Sequence, residues 1–187
     1  QALGVPVPVY AHLPMILGAD GARLSKRHGA VNVLEYRDRG YLPDALLNYL
    51  ARLGWSHGDQ EVFSREELVR LFDIGAVNGA ASRFNPDKLG WLNQQYIMAR
   101  DRDRLAGELG AFMDLRGLAR AGGPALPQVV EAYRERAVTL EDMVQASWYA
   151  FNDFDAIDEK AARQHLKSTT APALAAALAR LEGLPDW

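Results

Sequence analysis

"YLPDALLNYLARLGW", residues 41–55, decides the fold class. Its apolar side chains Leu42, Ala45, Leu46, Tyr49, Leu50 and Leu53 recur at the three- and four-residue steps of one helical face. Pro43 suits a first helical turn, where its missing N–H costs nothing, and Gly54 suits the stop. The spacing predicts a helix with those six side chains turned inward. The same period continues downstream. "SREELVRLF" opens on Ser64 with Glu67 three residues on, a capping box, and turns Leu68, Leu71 and Phe72 inward. Asn85 and Pro86 start a further helix through Leu89, Leu92 and Tyr96. Leu105, Leu109, Phe112 and Met113 mark another, "GLARAGGPALP" is a linker, and Val129, Val130, Tyr133 and Ala137 mark the next. Thr139 with Asp142 opens one more, and helices over 158–166 and 170–181 complete the series. No segment of strand period follows residue 100, so the expected class is mainly α.

Upstream the period changes. Residues 7–17 are apolar and β-branched with prolines between, which predicts one or two short extended segments. Asp20-Gly21 then marks a hairpin, with "PMIL" and "ARLS" pairing across it and Ser25, Lys26 and Arg27 delivered just past a strand end. Such a hairpin is not stable alone. Together with an apolar Trp187 at the last position, this leads us to expect further chain at both ends.

Composition narrows the function classes. The 187 residues are 49% hydrophobic and 24% charged, ordinary for one globular domain or two small ones. No apolar run reaches the roughly 20 residues of a membrane span, and the start has no signal-peptide pattern, so a cytoplasmic protein is expected. With no cysteine, and with His12, His28, His57 and His165 too scattered for a motif such as HExxH, no metal site and no zinc are expected. The net charge of −3 excludes an indiscriminate polyanion binder, so any nucleic-acid contact has to come from local patches.

One such patch lies in the loop. Arg23, Lys26 and Arg27, between Gly21 and Gly29, can bind a phosphate chain, the glycines allowing close backbone approach and the cations compensating charge. A solvated cationic turn is the competing reading. Neither a Walker loop nor a GxGxxG fingerprint occurs anywhere in the chain. "RDRDR", residues 100–104, reads as a solvated helix face. Trp55, Trp91 and Trp148 read as core or interdomain anchors rather than base-stacking platforms. Arg134 and Arg136, in "YRERAVTL", are cations at a helix end with either an exposed or an RNA-binding role.

"RLSKR" resembles the KMSKS signature of class I aminoacyl-tRNA synthetases. "AHLPMILGADGARLSKRHGA", followed by "YLPDALLNYLARLGWSHGDQEVFSREEL" and "FNPDKLGWLNQQYI", resembles the bacterial glutamyl-tRNA synthetases in particular. The likeness spans about the first 97 residues and rests beyond them on helical pattern. It implies three parts: residues 1–30 as the end of a Rossmann-type catalytic domain, 31–97 as a helical stem-contact region, and 98–187 as an incomplete helical anticodon-binding domain. The all-helical second half argues against the glutaminyl enzymes, whose anticodon modules are β-barrels. By the resemblance Arg23, Leu24, Ser25, Lys26 and Arg27 form the ATP-binding signature. Lys26 is then the residue that stabilises charge on the pyrophosphate leaving group as glutamate attacks ATP, which brings Mg2+ with it. Arg134 and Arg136 fall where the family uses arginine near the third anticodon base. The implied partners are tRNA(Glu), ATP and L-glutamate, and the implied state is a monomer. No HIGH-like sequence occurs and no glutamate-binding residue can be placed, which implies a C-terminal part of such an enzyme, inactive alone. A non-catalytic helical tRNA-binding module is the alternative, but it has no use for Lys26.

Overall fold

The computed structural model describes residues 4, 6–7, 10–25, 32–120, 122–152 and 156–184. They form two compact units, 1–151 and 152–187.

In the first unit, strand β1 (Ile16–Leu17) precedes helices α1 (Val33–Asp38), α2 (Pro43–Arg52) and α3 (Arg65–Leu71). Strand β2 (Ser82–Arg83) and helices α4 (Pro86–Ala99), α5 (Arg102–Leu115), α6 (Leu126–Tyr133) and α7 (Leu140–Ser147) follow. The expected starts are in place. Ser64 and Glu67 close a capping box on α3, Thr139 and Asp142 close another on α7, and the Asn85 side chain accepts from the backbone N–H groups of Asp87 and Lys88 at the head of α4. Helix α1, capped by Asn32, is too short to show a period in the sequence.

The largest core cluster joins Leu42 and Ala45 of α2 and Ile97 of α4 to Leu105, Leu109, Phe112 and Met113 of α5, Val129 and Val130 of α6, and Met143 and Val144 of α7. A second unites Leu46, Tyr49, Leu89 and Leu92, and a third Trp55, Phe63 and Leu68. Two buried asparagines fix how the helices meet. Asn48 Oδ1 accepts from the Phe63 N–H and the Tyr96 hydroxyl, while its Nδ2 donates to the Glu61 carbonyl. Asn93 Oδ1 accepts from the Leu42 N–H, and its Nδ2 donates to the Val138 carbonyl. With their polar atoms paired, these side chains specify the packing instead of weakening it.

Three expectations change. Leu50 is 44% exposed, because α2 buries the side that faces α4 and leaves Leu47 and Leu50 on a cleft with Val33 and Leu34, and Phe72 at the end of α3 is similarly open. Trp55 is core, but Trp91 and Trp148 lie about half exposed. Arg100 is not on a solvated face, since its side chain is only 10% exposed and paired with Asp44. The strand at 82–83 carries no signal in the sequence; it pairs in parallel with β1 in the register Ile16 to Ser82 and Leu17 to Arg83.

In the second unit Asp158 caps α8 (Glu159–His165), and α9 (Ala171–Glu182) carries Pro172 in its first turn and ends at Gly183. Neither helix has a buried residue. Among the described residues no helix is long and apolar enough to cross a membrane.

Candidate functional site

The loop signature is held by a hairpin, as its Asp-Gly step predicts. The Gly18 N–H donates to the Ala22 carbonyl at 2.8 Å and the Leu24 N–H to the Ile16 carbonyl at 2.9 Å, which sets Leu17 opposite Arg23. Asp20 Oδ1 accepts from the Ala22 N–H, and Gly21 turns the chain at φ +78°, a region that favours glycine. On its other side β1 is held by β2, through bonds from the Ser82 N–H to the Met15 carbonyl and from the Phe84 N–H to the Leu17 carbonyl. The Ser82 hydroxyl donates to the Leu53 carbonyl, anchoring this edge to the end of α2. Arg23 is thus bridged to β1, and Leu24 and Ser25 leave from the edge of the β1–β2 sheet. Lys26, Arg27, His28 and Gly29 lie outside the described residues.

Leu17 faces Arg23 across one ladder and Arg83 across the other. Residues opposite one another in a sheet share a face, so the two arginines flank the half-buried Leu17 on the same side. Nη2 of Arg83 also comes within 3.5 Å of where a side chain on Gly21 would begin. Arg83 had no signal in the sequence, because only the pairing of β2 with β1 brings it to the loop.

Beneath the start of α2, Asp44 gathers cations from three places. Arg100 Nη2 reaches its Oδ2 and Arg65 Nη2 its Oδ1, both at 3.0 Å, with Arg104 at 3.9 Å and Glu108 next to Arg100 at 3.3 Å. Burial pushes the Asp44 carboxyl up, but hydrogen bonds and charge from Arg100, then Arg65, outweigh it and hold the group below its ordinary range. The neighbouring Tyr96 hydroxyl is pushed up to about 12, mainly by burial and next by the Asp44 charge. Those two groups are locked in one ionisation state near neutrality, and the cluster joins α2 and α3 to the α4–α5 junction rather than offering a reactive group.

Arg134 and Arg136 separate in role. Arg134, at the end of α6, donates to the carbonyls of Ile97, Met98 and Arg100 at 2.8, 2.6 and 2.6 Å, closing the C-terminus of α4. Arg136 is exposed one turn-step on, near the paired hydroxyls of Tyr133 and Tyr149. The hydrogen bond to Tyr149, ahead of burial, raises the Tyr133 hydroxyl above its usual range.

Residues 1–91 match the family described as tRNA synthetases class I (E and Q), catalytic domain, and residues 104–187 match the anticodon binding domain family. Glutamate–tRNA ligase 2 of Halorhodospira halophila is 56% identical over 187 residues, and glutamate–tRNA ligase 1 of Coxiella burnetii is 52% identical over the same span. Each alignment covers the whole of this chain, which spans 40% of either relative's length. The crystal structure of a glutamate tRNA ligase from Elizabethkingia meningosepticum, in complex with its amino acid, matches 98% of this chain and 40% of its own with a TM-score of 0.74 at 28% identity. The glutamate-tRNA synthetase of Elizabethkingia anophelis matches 87% of this chain and 37% of its own with a TM-score of 0.65 at 30% identity.

Proposed function

We propose, starting from a chain that belongs to the class I tRNA synthetases (E and Q), that it serves a glutamate–tRNA ligase as the segment carrying the ATP-phosphate loop and the tRNA-reading helices. The observation that carries this reading is the hairpin that leads into "RLSKR", inside a match to a catalytic-domain family and upstream of helices that match an anticodon-binding family. In the complete reaction the glutamate carboxylate attacks the α-phosphate of ATP, releasing pyrophosphate and forming glutamyl-adenylate. A hydroxyl of the tRNA 3′-terminal ribose then takes the glutamyl group. In this reading the Lys26 ammonium stabilises the charge that grows on the departing pyrophosphate, and Arg23, Leu24, Ser25 and Arg27 complete the nucleotide loop. Mg2+ arrives on the ATP phosphates. Among the described residues no three His, Asp or Glu side chains converge to hold a metal ion.

Residues 1–30 close the catalytic domain, 31–97 contact the tRNA stem, and 98–187 read the anticodon. Arg136 contacts the tRNA, while Arg134, engaged by three carbonyls, acts there by fixing the helix end from which Arg136 projects. The enzyme works as a monomer in the cytoplasm. A non-catalytic helical adaptor is disfavoured because the first 91 residues match a catalytic-domain family.

The test is binding of this chain to tRNA(Glu) over a salt series, beside an unrelated tRNA and beside MgATP. Selective tRNA binding weakened about tenfold by Arg136→Ala and unchanged by Lys26→Ala, with MgATP binding lost only in Lys26→Ala, is the expected pattern. Arg134→Ala is expected to lower stability by about 2 kcal/mol, since it strips three carbonyls of their donor. Binding indifferent to tRNA identity overturns the reading.

A further inference from the structure

We propose that Arg23 and Arg83 form a phosphate clamp on the outer face of β1 that grips an RNA backbone beside the signature loop. The inference rests on the tRNA-ligase reading and extends it to a residue outside the signature.

Register puts the two guanidinium groups on one face, on the order of 10 Å apart at the backbone, two strand spacings with Leu17 between. The Arg83 head reaches over the hairpin turn, its Nη2 3.5 Å from where a Cβ on Gly21 would stand. Both arginines are exposed, and neither has an ion pair or side-chain hydrogen bond among the described residues. Two like charges on one face both attract an anion placed between them. Rigidity adds to this. The strands fix both Cα positions, and Gly21 leaves the Arg83 head free passage over the turn.

The surroundings favour a polymer over a single nucleotide. Arg83 also borders a cleft of about 240 Å3 with Arg52, Lys88 and Glu61. Both Arg52 and Lys88 pair with Glu61, at 2.8 and 3.0 Å, so two cations there share one carboxylate. Asp87 lies on the same first turn of α4, and Asp20 in the hairpin turn. Four cations, Arg23, Arg83, Arg52 and Lys88, thus run from the hairpin along β2 to the head of α4, interleaved with three carboxylates. A line of cations fits successive phosphates of a backbone better than it fits the compact triphosphate of ATP.

Arg83→Gln keeps a polar side chain at this register position and removes the charge. In the 187-residue chain it is expected to weaken tRNA(Glu) binding three- to tenfold near 0.1 M salt and to make the log–log salt slope shallower by about one. MgATP binding and the thermal midpoint are expected to stay unchanged. Unaltered tRNA binding overturns the clamp, as does a loss confined to MgATP. If Arg136→Ala weakens tRNA binding in the same assay while Arg83→Gln does not, the clamp falls and the ligase reading stands. If the unsubstituted chain binds no tRNA, both fall.

Discussion

Asp44 takes ion pairs from α3, from the α4–α5 junction and from α5, and its carboxyl is held below the ordinary range by Arg100 and Arg65 in spite of its burial. A carboxyl whose folded value is depressed binds fewer protons in the folded chain than in the unfolded one. Its contribution is therefore complete above the unfolded value of about 3.9 and is lost as pH falls through the folded one. Asp44→Asn takes from the part-buried Arg100 its 3.0 Å partner, leaving it Glu108 at 3.3 Å, and is expected to cost about 2–3 kcal/mol at pH 7. Urea unfolding between pH 3 and 7 checks both parts: the gap to the unsubstituted chain narrows below about pH 4, and a gap flat with pH would show that charge pairing is not its cause. None of this was legible in "RDRDR". A run of alternating charges says that some of them face water, and only the fold shows that Arg100 meets a carboxylate 56 positions away.

The helices were legible because their signals are local: a capping side chain, a proline at the first turn, an apolar stripe. The face each helix buries was less so. In α2 leucines occupy positions 46, 47 and 50, and period alone cannot say that the first is core and the other two are open. Strand β2 was illegible, since two residues carry no period and gain their structure only from β1. Long-range fit also explains Gly40, in the turn between α1 and α2. It sits at φ +79°, its carbonyl accepts from the Leu140 N–H, and a Cβ there would stand 2.6 Å from the Glu141 nitrogen. Gly58 has a similar φ of +54° but nothing within 4 Å. Gly58→Ala is expected to cost only the left-handed penalty of about 1–2 kcal/mol. Gly40→Ala is expected to cost clearly more, about 3 kcal/mol or above, because the head of α7 has to move as well. Equal losses in chemical denaturation would refute the close approach.

At the scale of the whole chain, the sequence disclosed the hairpin and its cations but not the edge that holds them, because Arg83 joins Arg23 only through the strand order. It likewise named Arg134 and Arg136 together, while the fold gives one of them three carbonyls and leaves the other in solvent. Burial is distributed just as unevenly. Every buried side chain among the described residues precedes Trp148, and in the second unit Leu174, Leu178 and Leu181 of α9 are all more than 40% exposed. Helices of 7 and 12 residues are marginal without an apolar face packed on a core. Local opening of α8 and α9 is thus expected near zero free energy, whereas the amides of Ile97, Leu109 and Met143 open only with global unfolding. Hydrogen exchange at neutral pH is expected to show α8 and α9 exchanging at least about 100-fold faster than those core amides, with a chain ending at Phe151 keeping the core's protection. Protection of α9 equal to that of α5 would mean that its leucines are covered in solution, and would overturn the division of stability between the two units.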